Sequence, residues 1–132
     1  MIQRPYQNLC GNVNIGQNTK IGAFVDIGDR VSIGENCIIE CFVAIPPGWE
    51  ISDDVFIGQH VSFSNDKYPA VRVKEWEMEK GLVQCGASIG SGSTIGPGIT
   101  IGAFAVIGQG SNVLSNVPEG ETWAGNPAHK IT

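Results

Sequence analysis

The chain has 132 residues and a mass of 14.0 kDa, which suits one domain, because two independent cores need ~100 residues each. Its 18 glycines are about twice the usual share of ~7%, yet 42% hydrophobic content argues against disorder, and 16 Ile and 12 Val against 3 Leu argue against a helix bundle. A net charge of −5 argues against nucleic acid or an anionic membrane as partner, and no stretch approaches the ~18 apolar residues of a membrane span.

The opening residues, Met1 to Tyr6, lack the charged-then-apolar layout of a secretory signal, so a cytoplasmic protein is expected. From Leu9 onward a repeat takes over. Ile-Gly pairs stand at 15–16, 21–22, 27–28, 33–34 and 57–58, all in steps of six. Ile39, Ile45 and Ile51 fill the gaps in phase, and Phe63 closes the series. Four places after each aliphatic residue comes a second, small or apolar one, such as Val25, Val31, Cys37 and Val43.

This hexapeptide predicts a parallel β-helix. Each six residues form one short strand and a turn, and three of them close a triangular coil. The aliphatic residue points inward and stacks on its equivalent one coil away. Glycine after it suits a corner where a side chain would clash or a positive φ is needed. Cys37 falls on an inward position and is expected to act as a small hydrophobe. Cys10, Cys41 and Cys85 fall on variable or corner positions, match no zinc spacing and are expected as free thiols.

The series then breaks. Phe63 to Val83 is two residues more than three hexapeptides, so the segment between them must leave the prism. It holds Asn65-Asp66-Lys67-Tyr68-Pro69 and four of the eight basic residues: Lys67, Arg72, Lys74 and Lys80. Excursions from a rigid scaffold are where function concentrates. A second series follows through Val83, Ile89, Ile95, Ile101, Ile107 and Val113, and the chain ends on Gly125-Asn126-Pro127-Ala128-His129-Lys130. The expected architecture is all-β: one domain over 1–132 with about five coils (about 9–64 and 83–131) and one excursion loop at about 65–82.

These features resemble the left-handed β-helix of the hexapeptide acyltransferases, and the resemblance supplies the handedness. Asn65-Asp66-Lys67-Tyr68-Pro69, with Val83-Gln84-Cys85-Gly86-Ala87 after the loop, is similar to the N-acetyltransferases of nucleotide-linked 3-amino sugars in bacterial surface-polysaccharide synthesis. The resemblance implies acetyl-CoA as co-substrate and a homotrimer with active sites between subunits. It implies Ala87 and Ala105 as backbone contacts to acetyl-CoA, completed by Gly125, Asn126, Pro127 and Lys130 in the last coil. Lys130 suits a phosphate, as a compact point charge. The family often has Lys where this chain has His129.

Acyl transfer to an amine needs a deprotonated amine, a positioned thioester carbonyl and a stabilised oxyanion. Asn65 suits the oxyanion or the sugar, Asp66 the attacking amine, and His60 a general base, since imidazole titrates near neutrality at ~6.5. Asn65 ranks above the other two, because some relatives manage without a protein base. Lys67, Tyr68 and Trp76 suit the acceptor, the two rings by stacking. With only two histidines no metal is expected. Two other readings stay open: an O-acetyltransferase of the same fold, and a β-helical scaffold without activity.

Overall fold

The structure, a computed structural model, describes residues 6–73 and 75–131. Its strands are mostly two residues long, because each side of a coil accommodates only two residues between corners. The first sheet comprises β1 (Asn8–Leu9), β4 (Asp26–Ile27), β7 (Ala44–Ile45), β10 (Ser62–Phe63), β13 (Thr94–Ile95) and β16 (Asn112–Val113). The second comprises β2 (Asn14–Ile15), β5 (Ser32–Ile33), β8 (Trp49–Ile51), β11 (Gly81–Val83) and β14 (Thr100–Ile101). The third holds β3 (Lys20–Ile21), β6 (Ile38–Ile39), β9 (Phe56–Ile57), β12 (Ser88–Ile89), β15 (Val106–Ile107), β17 (Thr122–Gly125) and β18 (Ala128–Lys130).

This is the expected all-β, left-handed parallel β-helix. The first sheet is six strands deep, so the prism has about six layers where about five were expected. Pairing runs between residues 18 apart, as in Asn8 with Asp26 and Ile15 with Ile33. The backbone ladder turns the corners too: the Phe24 N–H donates to Tyr6 O at 2.8 Å, and the Asn36 N–H to Gln17 O at 2.9 Å. Consecutive coils therefore satisfy each other's polar backbone, as a buried backbone requires.

The core is the stacked interior. Ile27, Ile45, Ile57, Ile89, Ile95 and Ile101 are wholly buried, with Val31, Val61 and Val113 between them. Cys37 is buried, as its inward position predicts, and its Sγ–H donates to Ser52 O at 3.1 Å. Burial pushes its thiol above the ordinary value. The other three cysteines are free and at least partly exposed.

The glycine after each isoleucine is present for close approach and not for its φ. A Cβ at Gly16 would lie 2.5 Å from the Gly34 carbonyl carbon, and one at Gly58 would lie 2.6 Å from the Ser91 nitrogen. The left-handed residue sits two places further on. Before the loop it is usually not glycine: Asn18, Phe24, Arg30, Asn36, Phe42, Asp54 and His60 all have φ near +60°.

The excursion leaves after β10 and returns at β11, so Gly81 and Leu82, expected in the loop, belong to the prism. Gly81 pairs with Trp49, 32 residues back in place of 18, so 14 residues have been inserted without disturbing the register. The chain then ends differently from a further hexapeptide. β17 continues the third sheet, and β18 folds back on it antiparallel, Gly125 facing Ala128. The Asn126–Pro127 bond at the turn is cis. Among the described residues no helix is long and apolar enough to cross a membrane.

Candidate active site

The base of the excursion is held by the prism. Trp49 is 2% exposed, and its indole N–H donates to Ser64 O at 2.8 Å. Its ring meets Phe63 at 4.7 Å, and a Cβ on Gly81 would sit 2.5 Å from it. Exit and return of the loop thus press on one aromatic ring. Asn65 ties the two stems: its side-chain amide donates to Pro47 O at 2.9 Å, while its carbonyl accepts the Glu79 N–H at 2.9 Å. This sequence-predicted catalytic residue is also the clamp of the loop.

Past the clamp, Asp66 Oδ1 accepts the Tyr68 N–H at 3.2 Å, closing an Asx turn. The turn brings Lys67 Nζ to 5.5 Å from the Tyr68 ring centroid. Trp76 returns toward them, and together these four candidates line a concavity of about 280 Å³. Tyr68 is 77% and Trp76 50% exposed, so both offer ring faces to a ligand.

The charge of this concavity departs from the sequence reading. The loop's basic residues suggest a phosphorylated ligand, yet Lys67 faces Asp66, Glu75, Glu77 and Glu79 there. Lys80 lies instead on a second concavity of about 430 Å³, between the returning loop and the second sheet, with Arg30, Asp29 and Glu50. Arg72 lines neither, and Lys74 lies outside the described residues. Sequence proximity clustered these cations, but the segment turns at Asp66 and returns to Asn65 at Glu79, so they do not gather in one place.

His60 is brought to neither concavity. It occupies the corner before β10, whereas the loop departs from the corner after it. Its N–H donates to Cys41 O at 3.2 Å, and its ring lies 4.7 Å from Phe42 with planes 4° apart. Phe42 stacks on Phe24 at 5.1 Å and Phe24 on Tyr6 at 5.2 Å. This column was missed by a reading at period six. Its signal is an aromatic residue every 18 positions, at 6, 24 and 42, ending on His60.

The residues expected at acetyl-CoA occupy two places. Ala87 and Ala105 are wholly buried at corners, and their N–H groups donate to Gln84 O at 3.3 Å and Gly102 O at 3.1 Å. Gly125, Asn126, Pro127 and Lys130 form the terminal hairpin. Asn126 Oδ1 accepts from Asn112 Nδ2 at 3.2 Å, which pins the turn to the first sheet. Lys130 Nζ lies 3.5 Å from Glu121 Oε2, and the Trp123 indole N–H donates to Glu121 Oε1 at 2.9 Å. The lysine is 56% exposed, so this pair is weak and leaves the ammonium free to meet a phosphate. Among the described residues no three His, Cys, Asp or Glu side chains gather to hold a metal.

Comparison with known proteins agrees with this architecture. The family model "Bacterial transferase hexapeptide (six repeats)" matches residues 12–47. A UDP-3-O-acylglucosamine N-acyltransferase of Caulobacter sp. (strain K31) is 29% identical over 121 residues, 92% of this chain and 26% of its own length. Among solved structures, PerB of Caulobacter crescentus, in complex with CoA and GDP-perosamine, is similar with a TM-score of 0.84 and 22% identity, over 97% of this chain and 55% of that one. AntD of Bacillus cereus, an N-acyltransferase solved with dTDP and 3-hydroxybutyryl-CoA, gives 0.86 and 22%, over 97% and 77%. The repeat and the prism therefore define the fold, a hexapeptide-repeat β-helix, which PerB and AntD share. The chain spans about a quarter of the curated relative and about half of PerB.

Proposed function

We propose that this chain carries the β-helix of an acetyl-CoA-dependent N-acetyltransferase acting on the amino group of a nucleotide-linked amino sugar, of the 3-amino-3-deoxy class used in surface polysaccharides. The observation that carries the reading is the 14-residue excursion that leaves the prism between β10 and β11. A scaffold needs no excursion, whereas this one is clamped by Trp49 and Asn65 and presents Asp66, Lys67, Tyr68 and Trp76 on one concavity. The likeness to PerB and AntD supports both the acyl donor and the nucleotide-sugar acceptor.

In the reaction, the acceptor amine attacks the thioester carbon. The C–N bond forms, the C–S bond breaks, and the proton lost by the amine ends on the departing CoA thiolate. Asp66 suits the amine, since a carboxylate holds it beside the attacked carbon. Tyr68 and Trp76 stack on the sugar or base. The terminal hairpin and Lys130 suit the phosphates and pantetheine arm of CoA. His60 lies away from the loop concavity of its own chain, so it serves as base only where a neighbouring subunit's loop meets it. A homotrimer meets that need. The third sheet supports such packing: its outward row runs Ile38, Phe56, Ser88 and Val106, with Ile38 43% and Val106 44% exposed. The same geometry also suits a hydroxyl acceptor, for which a base matters more.

The test is thiol release from acetyl-CoA across a panel of UDP-, dTDP- and GDP-linked amino sugars and simple alcohols. Turnover confined to amines supports the proposal. Turnover on hydroxyls alone makes the chain an O-acetyltransferase. No turnover and no acetyl-CoA binding at millimolar concentration makes it a scaffold.

A further inference from the structure

Beyond the loop and the hairpin, the least expected arrangement in the molecule is the aromatic column. Tyr6, Phe24, Phe42 and His60 occupy the same corner of four successive coils, and all four have positive φ. A left-handed conformation costs an ordinary residue ~1 kcal/mol or more against glycine. Side chains have been kept here where glycine would be easier. The rings repeat at 5.2, 5.1 and 4.7 Å, close to the ~4.8 Å between strands, so the column runs along the prism axis and the ring planes lie across it. Their interplanar angles fall from 18° to 9° to 4° toward His60. The stack is therefore flattest at the imidazole.

The imidazole is held from one side only. In the next coil the equivalent position is Gly92, whose N–H donates to Gln59 O at 2.8 Å, and the one after is Gly110. A Cβ at Gly92 would find nothing nearer than Gly110 at 4.0 Å, and one at Gly110 nothing at all within 4 Å. The same corner of the next two coils therefore supplies no side chain to the face of His60 opposite Phe42. A catalytic imidazole is usually oriented by a hydrogen bond from a carboxylate or carbonyl to one ring nitrogen. No such bond is made to either nitrogen of His60 among the described residues. Its plane is set by Phe42 instead, and stacking leaves both nitrogens free at the ring edge, pointing sideways from the prism.

We propose that Phe42 is a positioning residue for His60, with Phe24 and Tyr6 as its footing: the column fixes the imidazole plane so that a ring nitrogen is presented to an acceptor held by a neighbouring loop. The proposal rests on the acetyltransferase reading for its consequence in turnover, and on the geometry alone for the orientation.

Two measurements separate these. The chain has two histidines, so the imidazole proton spectrum of the whole protein has two sets of signals, identified with His129→Gln. The His60 signals are expected upfield, under the ring current of Phe42. Phe42→Leu should return them to the position of a free imidazole, and Phe42→Tyr should keep them upfield. Phe42 is 47% exposed, so neither change should unfold the chain, which thermal melting verifies. In thiol release with acetyl-CoA and the amino sugar turned over best, Phe42→Leu should lower kcat about tenfold with the KM for acetyl-CoA unchanged, and Phe42→Tyr should restore it. Unshifted His60 signals in the unmodified protein, or signals indifferent to Phe42→Leu, overturn the orientation. An active His60→Ala overturns the role in turnover, even with the spectrum as expected. Absence of turnover on every acceptor removes the acetyltransferase reading and that role with it, while the spectrum still decides whether the column orients the ring.

Discussion

The coils before the excursion and those after it share one backbone but solve their corners differently. Before it, the left-handed position carries Tyr6, Asn18, Phe24, Arg30, Asn36, Phe42, Asp54 and His60, with Gly48 at the loop base. After it, the position carries Gly86, Gly92, Gly98, Gly110 and Gly120, with Phe104 the exception. Glycine is the relaxed choice and Asn and Asp tolerate the position, so the earlier coils bear strain of ~1 kcal/mol at corners such as Phe24, Arg30 and Phe42. Along one edge stacking offsets it, at ~0.5–1.5 kcal/mol for each aromatic contact. The later coils give up side chains and keep smooth edges. The difference shows that a β-helix corner is a position where side chains are retained for a purpose, because the fold itself favours their removal.

The largest effect is expected where the two regions meet. Trp49→Ala removes a buried ring that packs on Phe63 and Gly81 and bonds Ser64, and should cost ~3–5 kcal/mol. Urea unfolding measures this, and faster proteolysis within residues 64–80 should accompany it. Next comes the shared feature of both regions. Gly58→Ala drives a Cβ against the Ser91 backbone, which cannot yield without separating two coils, at ~2–3 kcal/mol. A loss below about 0.5 kcal/mol would show that the coils separate easily.

The exception at Phe104 allows a sharper comparison. Its ring lies where a Cβ on Gly86 would stand. Gly86→Ala should therefore cost ~1–2 kcal/mol alone, from the clash and the positive φ, and less in a Phe104→Ala background, where only the φ term remains. Additive losses would place the whole cost in the backbone. In the other direction, Arg30→Gly converts an early corner into a late one. The side chain is 84% exposed and makes one long contact to Asp29, so relief of the left-handed strain should stabilise the chain by ~0.5–1 kcal/mol.

The smallest effect is set by pH. Burial raises the Cys37 thiol above its ordinary 9.0. The unfolded chain then loses this proton first, so the contribution is constant below pH 9.0 and stability falls as pH rises beyond it. Urea titrations at pH 8 and 10 should show a larger drop for the unmodified protein than for Cys37→Ala.

The fold was legible because its determinant is local and repeated. Ile27 and Ile45 are buried for the reason their spacing implies, and the break after Phe63 marks the point where the chain departs. The glycines were half legible. Their pairing with isoleucine reports a close approach, while the positive φ falls on Phe24 and Phe42, which no propensity assigns to it. The terminal hairpin was not legible as such: Trp123 falls opposite Ile107 after 16 residues in place of 18, and Gly125 turns the chain back. The candidate site was legible as a set of residues and not as an arrangement. Lys67 and Lys80 are near in sequence but belong to different concavities, and His60 and Asn65 stand at different corners of one coil.

The register across the excursion has a consequence of its own. Gly81 meets Trp49, Leu82 meets Glu50 and Val83 meets Ile51, as though the 14 additional residues were not there. A stacked solenoid registers only contacts between neighbouring coils, so the prism does not measure the length of what leaves it. The loop is therefore free to lengthen, shorten or be exchanged without re-phasing any strand on either side. A scaffold with this property can change what it recognises at one place while its interior sequence stays fixed.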